Sequence, residues 1–332
     1  MKIVIDAFGG DNAPLEIVQG ALNAIKEDKE LIVSLVGDKD KIEAILAKSD
    51  ADLSRVEVID AKDVITNDDS PTMAIKTKKD SSLVKAFDTL MSSDDYQGIV
   101  SAGSTGAVLV GAFMLVGRIK GISRPALAPI IPTVKGSGAI LCDCGANVDC
   151  KPIQLLHFGI MASAYAKAAF NIDSPRVALL SNGTEDSKGT ELNQEAFKLL
   201  SECDKINFVG NCEGRDFMTG DLDVIVADGF NGNVALKTAE GTANAIMTLL
   251  KSGVMEGGLK AKLGALLIKP VLREVKHKLD YNQTGGAVFL GVNKIVVKAH
   301  GSSGALAIKN AIKQAKNLAE QDIITKIKSG IE

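Results

Sequence analysis

The pattern that most constrains this chain is an apolar run that ends in glycine-rich punctuation and then turns helical. Its fullest form is Leu222 to Gly241, LDVIVADGFNGNVALKTAEG. Leu222 to Ala227 is short enough for a buried strand of a parallel sheet. Asp228-Gly229-Phe230-Asn231-Gly232-Asn233 breaks the run. From Val234 onward Leu236, Ala239, Ala243, Ile246 and Leu250 fall at helical spacing. Strand, glycine turn and helix together are how a doubly wound sheet builds a ligand site at its strand ends. Unpaired N–H groups at the start of such a helix suit an anion. The same residues also make an ordinary βα turn capped by Asn233.

Similar punctuation recurs along the chain. Ile3 to Asp6 reads as a strand, and Pro14 starts a helix, Leu15 to Lys26, with Ile17, Ala21, Leu22 and Ile25 inward. Strand Leu31 to Val36, helix Lys39 to Lys48 and strand Val56 to Ile59 follow. This order predicts a parallel sheet with helices on both faces. Lys76, Lys78 and Lys79 are either a solvated face or an attraction for phosphate. Ile99 to Ser101 runs into Ala102-Gly103-Ser104-Thr105-Gly106 and a helix over Ala107 to Val116, so Ser104 and Thr105 set hydroxyls beside free N–H groups. No Gly-Lys-Ser/Thr follows, which excludes a Walker A loop. Strand Gly138 to Leu141 ends in a loop holding Asn147 and Asp149, with Asp149 as the expected cap of a helix over Ile153 to Phe170. Strand Val177 to Leu180 leads into Ser181 to Glu191, where Lys188 is the one basic group. It either neutralises Glu185, Asp186 or Glu191, or offers a cation at a strand end. Ile206 to Val209 is a further strand. Strand Lys294 to Val297 ends at Lys298-Ala299-His300-Gly301-Ser302-Ser303, and one helix is expected from Ala305 to Lys328. Beside that turn His300 favours an anion contact over a purely structural role.

Composition removes several classes. Aromatics are 4% with no Trp, which argues against stacking platforms for nucleic acid, and the net charge of −3 gives no basic footprint. An odd cysteine count does not resemble a secreted disulfide framework. Cys142, Cys144 and Cys150 are close enough to raise zinc, yet no His stands at metal-site spacing; neither metal nor cofactor is expected. Met1-Lys2 runs straight into the first strand rather than a leader, so a cytoplasmic setting is expected. Gly106 to Gly117 is too short to span a membrane.

One segment differs in texture. Val254 to Lys278 places Leu259, Leu263, Leu266, Leu267, Val271, Leu272 and Val275 at helical spacing, interrupted by Pro270. It carries Lys260, Lys262, Lys269, Arg273, Lys276 and Lys278 against only Glu256 and Glu274. Such a segment can lie on an anionic membrane, dock an acidic protein, or simply face a core. With no repeat and no linker, residues 1–332 are expected to form a single α/β unit. Its two intertwined halves would surround a cleft, with a basic amphipathic protrusion at about 253–280.

Taken in order, these pieces resemble the bacterial phosphate acyltransferases of phospholipid synthesis, of the PlsX type. The resemblance runs through Ile5 to Pro14, Lys78 to Ser82, Ser101 to Ala107, Gly145 to Asp149, Asp228 to Lys237 and Lys298 to Ser303. Ser104 stands where Asn is expected, and Asn231 where Thr is usual. The resemblance implies a three-layer α/β/α sandwich with a mainly parallel sheet, like isocitrate and isopropylmalate dehydrogenases, usually as a homodimer. It implies conversion of acyl-[acyl carrier protein] and inorganic phosphate to acyl phosphate and free carrier protein. The product would feed a downstream glycerol-3-phosphate acyltransferase.

No serine elbow or Cys-His pair demands a covalent acyl-enzyme, so direct attack by phosphate oxygen is expected. Lys188 is the expected cation and Asn233 the expected amide donor at the reacting centre. Ser104, Thr105, Asn147, Asp149, Asp228, Gly229, Asn231, Gly232, His300, Gly301 and Ser302 are the expected phosphate or substrate contacts. Leu259, Lys262, Leu263, Leu266, Leu267, Lys269 and Arg273 are expected to meet the membrane, the carrier protein or both, which makes the enzyme peripheral. Rival readings are a phosphotransacetylase using acyl-coenzyme A, a metal-dependent dehydrogenase of the same fold, and a membrane-recruiting scaffold.

Overall fold

A computed structural model describes residues 1–136, 138–279 and 285–331, without the side chains of residues 276, 277 and 279. The Lys276 amine counted above therefore lies outside the described atoms. The chain opens with β1 (Lys2–Asp6), α1 (Leu15–Glu27), β2 (Ile32–Gly37), α2 (Lys39–Leu46), β3 (Val56–Asp60), α3 (Pro71–Thr77), α4 (Ser82–Ser92) and β4 (Tyr96–Ser101). Next come α5 (Thr105–Gly111), β5 (Ala126–Ala128), β6 (Ile130–Ile131), β7 (Ala139–Cys142), α6 (Pro152–Phe170), β8 (Arg176–Leu180), α7 (Glu191–Ser201), β9 (Asn207–Cys212) and β10 (Val224–Val226). It closes with α8 (Gly229–Glu256), α9 (Gly258–Leu279), β11 (Ala287–Leu290), β12 (Ile295–Lys298), α10 (Ala305–Glu320) and α11 (Ile323–Ile331).

The strands form two sheets, in the orders β3-β2-β1-β4-β12-β11-β5 and β6-β7-β10-β8-β9. Pairing is parallel except around β11 and at β6. Side chains alternate across each strand. In the first sheet Ile3, Ile5, Val100 and Val297 face a core shared with α1, α6 and α10, whereas Val4, Ile99 and Val296 face α4 and α5. In the second sheet Val224 and Val226 join the shared core, and Ile225 faces Phe217 and Leu236. This is a three-layer α/β/α sandwich. The C-terminal strands β12 and β11 complete the sheet that the N-terminal strands begin.

The departures from expectation have local causes. β5, β6 and β11 are two to four residues long and antiparallel to a neighbour, too short for a periodic signal. Pro129 stands between β5 and β6, where the chain passes from one sheet to the other. The last helix breaks at Asp322, whose φ is 48°. α5 ends at Gly111 and gives way to a π-helical turn, Ala112–Val116. The cap of α6 is Lys151, whose N–H donates to Gln154 Oε1 at 2.8 Å, and not Asp149, which is exposed.

α8 begins at Gly229, five residues before the expected start, because Asp228 caps it. The Asp228 carboxylate accepts from Asn231 N at 2.9 Å. Asn233 therefore lies inside the helix and caps nothing. This first turn packs hard against the loop after β7. A Cβ on Gly232 would stand 2.0 Å from the Asp143 carbonyl oxygen. Gly232→Ala should cost about 2 kcal/mol or more of stability, because backbone on both sides must move. Urea unfolding of the variant checks this, and an unchanged midpoint would show that the contact yields freely.

Candidate active site

A cavity of about 1260 Å³ opens where the two sheets meet. Thr105 enters it from α5, and Lys298, Ala299 and His300 from the end of β12. Cys144 and Gly145 come from the loop after β7, and Asn233, Leu236 and Lys237 from α8. Leu127, Ile130, Ile131, Phe217 and Met218, with Met247 of α8 and Ile268 and Leu272 of α9, make the rest largely apolar. A short polar wall joined to a long apolar lining suits a ligand with a charged head and a hydrocarbon body.

Asp143 holds the place where these elements converge. It is fully buried, and its carboxylate accepts from Leu127 N at 2.8 Å, Cys144 N at 2.7 Å, Asn147 N at 2.6 Å and Asn147 Nδ2 at 3.0 Å. Burial pushes its carboxyl up to about 6, against the pull of those N–H groups. Asn147 is committed by the same network, since Nδ2 also donates to Pro125 O at 2.8 Å and its carbonyl accepts from Gly229 N at 2.7 Å. Asn147 thus packs as a brace, out of the cavity. Nothing local in the sequence singles out Asp143. Its role depends on Leu127, sixteen residues away and in the other sheet.

The residues expected at the site divide. Thr105, Asn233 and His300 line the one cavity. Ser104 is the residue before α5, and its side chain makes no capping bond. Asp228 and Asn231 bond to each other, with Asn231 Nδ2 donating to Asp228 Oδ2 at 2.6 Å, and Gly229 and Gly232 are buried packing positions. His300 Nδ1 is 2.9 Å from Ser302 Oγ and accepts from Ser302 N at 3.3 Å, which assigns the ring hydrogen to Nε2. Burial, with Lys237 and Lys298 nearby, holds His300 below the ordinary histidine range. Gly301 and Ser302 are set in the same turn, outside the cavity lining. Lys188 also lies outside it: the side chain is exposed in the loop after β8, with Nζ 3.8 Å from Glu185.

Lys298, quoted above only as part of a turn, also lines the cavity. The available signal was a lysine ending an otherwise apolar strand. Cys142 and Cys144 are buried free thiols, with burial driving Cys144 up to about 12, so the neutral form is favoured over the thiolate a metal requires. Among the described residues no group of three or more His, Cys, Asp or Glu could hold a metal, and no helix is long and apolar enough to cross a membrane.

The family described as fatty acid synthesis protein matches residues 1–326. The chain is 49% identical over 332 residues to a phosphate acyltransferase of Clostridium botulinum (strain Alaska E43 / Type E3), covering 100% of this chain and 99% of that protein. Among solved structures, the EutD phosphotransacetylase from Staphylococcus aureus superposes with a TM-score of 0.61 at 19% identity, over 96% of this chain and 94% of that one. A 4-hydroxythreonine-4-phosphate dehydrogenase from Klebsiella pneumoniae gives 0.53 at 12% identity, over 96% and 99%. At such identities the two structures speak for the fold.

Asp143→Ala would leave the buried Leu127 and Asn147 N–H groups without their acceptor and would strip Cys144 N and Asn147 Nδ2 of one of two. At about 1–3 kcal/mol for each orphaned donor, partly relieved by water, the variant should lose about 3 kcal/mol or more. Chemical unfolding measures it, and a loss under about 1 kcal/mol would mean that the junction has other supports.

Proposed function

This chain belongs to the fatty acid synthesis protein family, and from that premise we propose that it is the phosphate acyltransferase that draws its acyl group from acyl-[acyl carrier protein]. It is an enzyme, an acyltransferase to phosphate. The observation that carries the reading is the cavity, in which amide, hydroxyl, imidazole and amine groups adjoin a lining fit for an acyl chain.

The reaction is direct. An oxygen of HPO₄²⁻ attacks the thioester carbonyl, the C–O bond forms, the C–S bond breaks, and the phosphate proton passes to the departing thiolate. Acyl phosphate and thiol result, with charge and atoms balanced. The transition state carries negative charge on the former carbonyl oxygen, so a fixed donor there lowers the barrier. Asn233, set in the first turns of α8, is the proposed amide donor. Thr105 and His300 are proposed contacts for the bound substrates, with Ser104 as their neighbour. Lys188 is proposed as the cation that reaches the donor thioester once it leaves Glu185; exposed pairs of that kind hold weakly.

The outer surface supports a second element. Leu259 is 88% exposed, and Leu263, Leu266 and Leu267 stand open beside Lys262, Lys269 and Arg273. We read α9 as the face that meets an anionic membrane, with the acidic carrier protein approaching the same basic surface. A second copy of the chain is proposed to cover part of the apolar surface of α8.

Phosphate-dependent release of thiol from long-chain acyl carrier protein, with acyl phosphate identified, tests the function. Faster turnover on coenzyme A thioesters would favour the phosphotransacetylase rival. Asn233→Ala and Lys188→Ala should each lower turnover at least about tenfold in a folded protein; near-normal turnover in either retires that residue. The wild-type protein should float with anionic vesicles, and Leu263→Glu with Leu267→Glu should abolish this. Unchanged flotation would remove the membrane role.

A further inference from the structure

We propose that Lys298 binds the phosphate substrate, its Nζ gripping a phosphate oxygen from the end of β12. This rests on the phosphate acyltransferase reading and adds to it the group that holds the nucleophile.

Position comes first. In the first sheet β2 and β3 lie to one side of β1, and β4 and β12 to the other. The crevice beyond the strand ends at such a reversal is where open α/β sheets take ligands. Here the loops of that crevice are locked together. Asp11 N donates to Gly301 O at 2.8 Å, and Asn12 Nδ2 to Ser302 O at 3.1 Å. A Cβ on Gly9 would stand 2.6 Å from Gly103 N, so only glycine lets the β1 and β4 loops meet this closely. Lys298 continues the alternation of β12 onto the Val296 face, toward α5, and it lines the cavity with Thr105 and His300.

Burial comes second. Lys298 is only 8% exposed. A buried ammonium needs partners for three donors. Nζ reaches Ala102 O at 3.4 Å and Ala299 O, which leaves donor capacity toward the cavity. Asp6 and Asp11 both attract the amine, Asp6 the more strongly, but neither forms an ion pair with it. Asp6 accepts from Ser82 Oγ at 2.6 Å and Ser101 Oγ at 2.7 Å, and burial raises its carboxyl. Asp11 acts on the amine only at longer range, and among the described residues Lys298 makes no ion pair. Lys237, also in the lining, is paired with Glu240 at 2.7 Å. Burial draws the Lys298 amine down to about 8. A buried cation with no carboxylate in direct contact gains most from a multivalent anion; an uncharged thioester carbonyl cannot repay its lost hydration.

Lys298→Met, which keeps the length and removes the charge, should raise KM for inorganic phosphate at least about tenfold while KM for the thioester stays within about twofold. Phosphate should raise the Tm of the wild-type protein, Lys298→Met should abolish that rise and Lys298→Arg restore part of it. An unchanged phosphate KM in folded Lys298→Met, or an equal rise in both KM values, overturns the proposal. A measurement on the wild-type protein covers a variant that fails to fold. Acetic anhydride at about pH 8 should label Lys298 several-fold more slowly in saturating phosphate, with exposed Lys48 unaffected. Equal labelling of Lys298 with and without phosphate overturns the proposal too. A wild-type protein that shows protection but no phosphate-dependent thiol release would instead sink the acyltransferase reading.

Discussion

Five N–H groups converge on one buried carboxylate where the two sheets meet. Asp143 leaves the end of β7 in the second sheet and accepts from Leu127 of β5 in the first. Cys144 N closes the same link by donating to Leu127 O at 3.0 Å, and Asp143 N donates to Ala227 O at 2.8 Å. The side chain thereby ties β5 to the loop after β7, its own backbone N ties that loop to the end of β10, and Asn147, which it holds, bonds to the first residue of α8. Burying a charge without such donors would be prohibitive. With them, the carboxylate is the condition for the cavity's shape, because β5, the β7 loop and α8 all line it.

The first turn of α8 illustrates how packing overrides a local signal. Glycines and asparagines there read as a phosphate-binding turn, since free N–H groups at a helix start attract anions. In the fold, Asp228 and the Asn147 carbonyl take two of those N–H groups. The glycines serve close approach instead. The wall proposed to bind the anion lies across the cavity, where β4 and β12 end.

Much of the architecture was legible because parallel strands and flanking helices write their periods locally. Ile3 to Asp6, Leu31 to Val36 and Val177 to Leu180 sit within a residue or so of the observed strands. What escaped has no local period: the short antiparallel strands, and the break at Asp322, which no glycine or proline announces. The candidate site was half legible. Thr105, Asn233 and His300 were marked by strand-end turns. Lys188 drew attention as the lone cation of an acidic loop, a local fact that does not bring it into the cavity. Lys298 and Asp143 take their meaning from neighbours far along the chain. No window on the sequence contains Lys298 together with Asp6 and Ala102.

The cavity also depends on elements that the sheets barely support. Within α8 only Gly229 and Gly232 are buried, and beyond that base the helix runs out beside α9. Apolar residues on both helices, Leu249, Leu259 and Leu267 among them, stand open. Helices gain most of their stability from burying an apolar face, which these two do only in part. Yet their inner sides, from Leu236 to Leu272, form much of the apolar lining. One pair of helices thus carries both the wall of the cavity and the most apolar part of the outer surface. Whatever covers the outside acts directly on the inside, because no intervening layer separates the two.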